Sequence, residues 1–206
     1  MLSTQRLPSS QLDIAADILR RGGLVVFPTD TVYGVAALAR DDNAVARIYA
    51  AKKRSLDMPI PVMVAEAGGA LGVARPLPGF WELAGAFWPG PLTIILPSAA
   101  TLPPIVTAGG DTVALRIPDH PLALALLRRV GAPLAVTSAN LSRQAPALTA
   151  REAWMQLDGR VDAIVDGGDA PGGQPSTIVD LTSPTPRILR RGPISESQIR
   201  AALLRD

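Results

Sequence analysis

The chain has 206 residues, 48% of them hydrophobic and 18% charged, with a net charge of +2. This composition favours a compact domain with a sizeable core over disorder, and by itself neither calls for nor excludes a nucleic-acid partner. The absence of cysteine excludes disulfides, thiolate zinc sites and cysteine nucleophiles. No apolar run approaches the ~20 residues of a membrane helix, and the opening MLSTQRLPSSQLD lacks a signal-peptide core. A cytoplasmic protein with no membrane partner is expected.

In chain order, Ser9 or Ser10 can cap a first helix that runs through Leu19 and stops at Gly22. LVVF follows as a short strand, and PTDTVYG as a polar turn closed by Gly34. DDNAVARIYAAKKR reads as a helix with an acid at its start and bases at its end. IPVMVA is a strand, and GFWELAGAFW a helix ended by Pro89, with Trp81, Phe87 and Trp88 assigned to the core. PLTIILP and DTVALRIP are strands, HPLALALLRRVG a helix, and PLAVT a strand leading into SANLS. TAREAWMQL is helical, VDAIVDG and STIVDL are strands, and SESQIRAALLRD is a capped terminal helix. The alternation of strands and helices predicts one α/β domain over 1–206, and the closely spaced late strands make its sheet mixed parallel and antiparallel.

Several strand exits end in hydroxyl, amide or cationic residues: PTDTVYG, VALRIPDHP, VTSANLS, STIVD and ILRRG. Singly these are ordinary turn and cap residues; together they suggest one cleft along a sheet edge. In TVALRIP, alternation puts Thr112, Ala114 and Arg116 on one face and Val113, Leu115 and Ile117 on the other. Arg116 is then either a solvated outer-face residue or a fork for a carboxylate or phosphate. Lys52 and Arg54 end a helix, where cations are favoured whatever their use. The tail from Arg187 carries five arginines against Glu196 and Asp206. No Walker or G-x-G-x-x-G fingerprint is present, so any nucleotide would be held by arginines, hydroxyls and helix ends. The one histidine, His120, excludes polyhistidine metal sites.

FPTDTVYG, AKKR, WPGPLTIIL, VALRIPDHP, TSANLS, GGQPSTIVD and ILRRG together resemble the YrdC/TsaC-like threonylcarbamoyl-AMP synthases, from about Leu12 to Ile199. The resemblance implies a YrdC-like fold, a twisted mixed sheet with helices on both faces and a large basic cavity. It implies a nucleotidyltransferase that joins L-threonine, bicarbonate and ATP into threonylcarbamoyl-AMP and diphosphate. The product would serve N6-threonylcarbamoyladenosine formation beside the tRNA anticodon. ATP and L-threonine are then substrates, with Mg²⁺ accompanying ATP; a downstream transferase complex and tRNA are the implied partners.

By motif, Thr31, Tyr33, Arg116, Val136 and Ser176 would bind threonine. Lys52, Arg54, Thr112, Ser138, Asn140 and Arg190 would bind ATP, and Lys52, Arg54 and Arg116 would act in catalysis. Three positions depart from the pattern: Met58 for a common asparagine, Met63 for a common histidine, and Arg143 for a frequent glycine. The alternative is a non-catalytic paralogue that binds RNA or a nucleotide. RNA recognition would favour exposed aromatics among the basic residues, and the chain has few aromatics of any kind.

Overall fold

The computed structural model describes residues 3–172 and 174–204. Its strands are β1 Gln5–Pro8, β2 Val25–Phe27, β3 Gly34–Leu38, β4 Val62–Met63, β5 Leu92–Pro97, β6 Thr112–Arg116, β7 Leu134–Ser138, β8 Ala163–Asp166, β9 Thr177–Asp180 and β10 Arg187–Arg190. The helices are α1 Leu12–Arg20, α2 Asp42–Lys52, α3 Phe80–Phe87, α4 Pro121–Val130, α5 Ala150–Leu157 and α6 Glu196–Leu203. One sheet takes all ten strands in the order β1-β8-β2-β3-β7-β4-β6-β5-β9-β10. It is mixed, with β1 and β2 parallel to β8, β4 to β6 and β5 to β9, and antiparallel pairs elsewhere. No helix among the described residues is long and apolar enough to cross a membrane.

Strand alternation divides the core between the two faces. Val26, Val35, Val62, Ile94, Leu115, Ala135 and Val179 belong to a cluster that also contains apolar residues of α2, α3, α5 and α6. Val25, Phe27, Ala36, Leu134, Val136 and Val165 belong to a second cluster with α1 and α4. These two helices contribute Leu12, Ala15, Ala16 and Leu19, and Ala123, Leu126, Leu127 and Val130. Thus α1 and α4 cover only the half of their face built on β1, β8, β2, β3 and β7. Met63 of β4 joins the edge of this cluster; over β6, β5 and β9 that face has no helix among the described residues, and Ala114, Ile95 and Ile178 are only half-buried while Leu115, Ile94 and Val179 beneath are fully buried.

Several expectations change. Ser9 and Ser10 lie in a 3-10 turn, Ser9–Gln11, and α1 starts beyond it with no side-chain cap. β1 and β3 are additional strands; Gly34 opens β3 where the sequence suggested the close of a turn. The strand expected over IPVMVA contracts to Val62–Met63. The buried aromatic of α3 is Phe80, whereas Trp81 is 50% exposed. Phe87 and Trp88 are partly buried against the core, with the Trp88 indole N–H bonded to Leu92 O. The terminal helix has the expected cap, with Ser195 and Gln198 forming a reciprocal box.

Beyond β10 the chain crosses the start of β9 at Gly192. A Cβ there would lie 2.3 Å from Thr177 N and 2.5 Å from Pro175 O, both backbone atoms that cannot swing aside. Gly192→Ala should therefore lower stability by about 1–3 kcal/mol through overpacking, read as a drop in the urea midpoint. An unchanged midpoint would show that the crossing is loose.

Candidate functional site

The uncovered half-face holds a cavity of about 510 Å³, within the range of small-molecule sites. Of the sequence-predicted residues, Thr31, Arg54, Thr112, Arg116, Val136, Ser138, Ser176 and Arg190 line it. Lys52, Tyr33 and Asn140 do not. A second cavity, lined by Arg40, Glu66, Arg128 and Pro133 among others, contains none of these residues.

Arg116 sits on the cavity floor and is 5% exposed, which rules out the solvated outer-face reading. Its Nε donates to Gly90 O at 3.0 Å, Nη1 to Thr31 Oγ1 at 3.2 Å, and Nη2 to Asp30 Oδ2 at 2.6 Å. A guanidinium has five N–H groups, so one remains on each terminal nitrogen, the geometry that fits a carboxylate. Burial holds its pKa below the usual arginine value, against the pull of Asp30.

The PTDT turn is built to hold that group. Thr29 Oγ1 accepts from the backbone N–H of Thr31 and Val32 and donates to Val32 O at 2.7 Å. The two threonine hydroxyls lie 3.1 Å apart, which sets Thr31 Oγ1 beside the Arg116 guanidinium. Thr31 Oγ1 accepts from Arg116 Nη1 there.

Across the floor, Thr93 Oγ1 and Ser176 Oγ are hydrogen-bonded at 2.7 Å. Arg190 donates from Nε to Ser176 O and from Nη2 to Ser176 Oγ, each at 3.0 Å. Sequence reading missed Thr93, although a single hydroxyl within the apolar run PLTIIL marks it. Pairing of Ile94 with Leu115 brings Thr93 opposite Arg116 on the cavity face. Burial, and then the nearby Arg116 charge, lower the pKa of Arg190.

Lys52 and Arg54 diverge because Lys53 between them adopts a left-handed conformation, φ 52°. Arg54 Nη2 donates to Pro59 O at 3.0 Å and Nε to Met58 O at 3.3 Å, placing its guanidinium on the wall. Lys52 turns inward and is 1% exposed. Its ammonium donates to Ser138 O, to Asn140 O at 2.6 Å and to Asn140 Oδ1 at 3.4 Å. Asn140 is itself engaged, its Nδ2 donating to Leu141 O and Gln144 O. Both therefore brace the TSANLS turn from behind, with Ser138 at its cavity side.

Tyr33 is also removed from the wall. Its fully buried hydroxyl donates to Gly168 O at 2.5 Å and accepts from Gly167 N at 3.4 Å, anchoring the loop after β8. Burial raises its pKa.

The three departures from the resembled pattern acquire physical context. Met58 is 45% exposed at the cavity rim and contributes its carbonyl to Arg54 and Tyr49. Met63 packs on the floor beside Arg116. Arg143 has φ 71°, a left-handed backbone that favours glycine. Of the described residues, the cavity wall carries Arg54, Arg116 and Arg190 and no carboxylate. Among the described residues no group of three His, Asp or Glu could hold a metal.

Burial, reinforced by Arg54, pushes the Lys52 ammonium from 10.5 down to about 7. Between these values the unfolded chain retains a proton that the folded chain has released, so stability should rise with pH from about 7 to 10.5. Lys52→Met should remove that rise in pH-dependent urea titrations and speed amide exchange at Ala139 and Asn140. Wild-type slope and exchange in the variant would detach Lys52 from the turn.

A family model described as telomere recombination, Sua5/YciO/YrdC, matches residues 17–192. A threonylcarbamoyl-AMP synthase of Pyrococcus abyssi is 40% identical over 97% of this chain and 59% of its own length. That of Bacillus subtilis is 45% identical over 94% of this chain and 56% of its own. A putative threonylcarbamoyl-AMP synthase of Mycobacterium tuberculosis H37Rv is 44% identical over 92% of this chain and 87% of its own. The crystal structure of P. abyssi Sua5 complexed with L-threonine superposes with a TM-score of 0.91 at 38% identity, covering 97% of this chain and 60% of that one. Escherichia coli YciO gives 0.85 at 26% identity, covering 97% of this chain and all of that one. The chain thus spans under two-thirds of the length of the P. abyssi and B. subtilis relatives.

Proposed function

This chain belongs to the Sua5/YciO/YrdC family, and on that premise we propose that it makes threonylcarbamoyl-AMP. L-Threonine and bicarbonate, as CO₂, give N-carboxy-threonine; the carbamate oxygen attacks the α-phosphorus of ATP, and diphosphate leaves. The product would then pass to a transferase complex that modifies the adenosine next to the tRNA anticodon. The observation that carries this reading is the Arg116 floor. A buried guanidinium with an N–H to spare on each terminal nitrogen suits an amino-acid carboxylate, and the superposable P. abyssi relative binds L-threonine.

In this reading Arg116 clamps the threonine carboxylate beside Thr31, Ser176 supports the far side, and Val136 closes the wall near the amine with its backbone. Arg54 and Arg190 meet the triphosphate and nucleotide with Thr112 and Ser138. Lys52 and Asn140 act through the turn that presents Ser138, and Tyr33 acts through the loop it anchors. The reaction brings two anions together, so Arg54 and Arg190, with Arg116 partly neutralised by Asp30, supply the stabilisation that the attack requires. The floor also keeps the carbamate from water, in which it reverts to amine and CO₂. Mg²⁺ finds no carboxylate on this wall and would enter on the triphosphate; no protein ligand for it is assigned.

Purified protein should release diphosphate from ATP only with both L-threonine and bicarbonate present, and not with serine or valine. No release, together with salt-sensitive RNA binding, would instead favour the non-catalytic paralogue. Arg116→Lys keeps a charge beside Asp30 but loses the fork, so threonine affinity should fall about 10- to 100-fold with ATP affinity retained. Arg54→Ala should weaken ATP and spare threonine. Isothermal titration of each ligand separates the two, and a reversed pattern would overturn the assignments.

A further inference from the structure

Among the described residues, two buried side-chain polar atoms have no hydrogen-bond partner: Asp30 Oδ1 and His120 Nδ1. Native interiors rarely leave such atoms unpaired, so each calls for an explanation. They are chemically complementary, since a carboxylate oxygen only accepts and an imidazole nitrogen can donate. Both also belong to residues flanking Arg116. Asp30 accepts from Arg116 through its other oxygen at 2.6 Å. His120 lies four residues beyond Arg116, at the cap position of α4, where its side chain caps no backbone N–H.

The tertiary packing brings the two segments together. A Cβ at Gly167 would lie 2.6 Å from Leu122 Cδ1 and 2.7 Å from Pro28 Cγ, so the first turn of α4 and the 28–31 turn converge on one spot. The Asp30 charge is felt at His120, as is that of Asp119. Burial nevertheless holds the imidazole below its usual value, leaving it neutral in mildly basic solution, with one N–H to place.

We infer that His120 is a positioning residue for Arg116: its Nδ1–H reaches Asp30 Oδ1 through one bridging water, so that the carboxylate links imidazole and guanidinium. Asp30 is then held at both oxygens, and Arg116 presents its two remaining N–H groups to the cavity in one orientation. The role for ligand binding rests on Arg116 being the carboxylate clamp; the tautomer does not.

The single histidine makes the test direct, because ¹⁵N-labelled protein has one imidazole signal pair. At pH 8 the wild type should show a pyrrole-like Nδ1 and a pyridine-like Nε2, and Asp30→Asn should shift or abolish this pattern. A pyridine-like Nδ1 in the wild type would overturn the inference whatever the substrate. Should Asp30→Asn not fold, that wild-type spectrum and the His120 variants still decide. His120→Ala should raise the Kd for L-threonine about tenfold with ATP affinity unchanged, and His120→Asn, whose amide can replace Nδ1–H, should recover most of the loss. Equal threonine affinity in all three would overturn the positioning role. If the wild type binds no threonine, the proposed function fails, while the tautomer and its response to Asp30→Asn still judge the bridge.

Discussion

A buried guanidinium sets the terms for this fold. The side chain of Arg116 is 6% exposed and that of Asp30 11%, so neither charge can rely on water. Leaving one without the other would cost about 3–5 kcal/mol. The partners of Arg116 come from separate segments: Asp30 and Thr31 from the turn between β2 and β3, and Gly90 from the approach to β5. Each must arrive in a fixed conformation. The Thr29 hydroxyl fixes the turn, and antiparallel pairing of β2 with β3 fixes its ends. Strand pairing between β5 and β6 brings Thr93 opposite the arginine. Local turn chemistry and long-range sheet register thus converge on one ion.

The cavity follows from incomplete cover. Two helices shelter one half of a sheet face and leave the other half as a floor, and alternation then decides what the floor displays. The odd positions of β6, Val113 and Leu115, are spent on the covered core, so Thr112, Ala114 and Arg116 are left for the open side. The same logic selects Thr93 and Ile95 on β5, and Ser176 and Ile178 at β9. A strand buried on both faces would carry apolar residues throughout. The polar positions interspersed in these strands are thus the imprint of a half-covered sheet.

This explains what the sequence discloses. The face of Arg116 could be read from period-two alternation alone, and the basic and hydroxyl character of the wall from motifs at strand ends. Lys52 and Asn140 could not be placed that way. Lys52 and Arg54 belong to one basic run, and what separates them is a left-handed backbone at Lys53, which lysine does not advertise. Tyr33 shares its motif with Thr31 but turns to the opposite face, where a loop over a hundred residues away receives its hydroxyl. Asp30 was visible only as a polar turn residue, since its role depends on a partner 86 positions distant. β3 was hidden because its apolar residues run on directly from the turn. Contacts set by strand register or backbone handedness leave no local signature.

On the proposed function, the charge balance of the cavity bears on how a carboxylate and a triphosphate could share it. Arg116 is partly neutralised by Asp30, and burial, then the Arg116 charge, lower the proton affinity of Arg190, so the two guanidiniums repel each other across the floor. On the proposed function, a threonine carboxylate at Arg116 would relieve that repulsion and also reduce the net attraction for a triphosphate. Charge alone would therefore make the two ligands oppose each other, and by linkage they would do so equally. The contacts among Arg190, Ser176 and Thr93 offer an opposing influence. A ligand bonded to Ser176 would share that buried serine with the Arg190 guanidinium, 3.0 Å away, and so link the two ligand positions by direct contact. On the proposed function, the two influences meet at Ser176, whose hydroxyl is bonded to both Thr93 and Arg190.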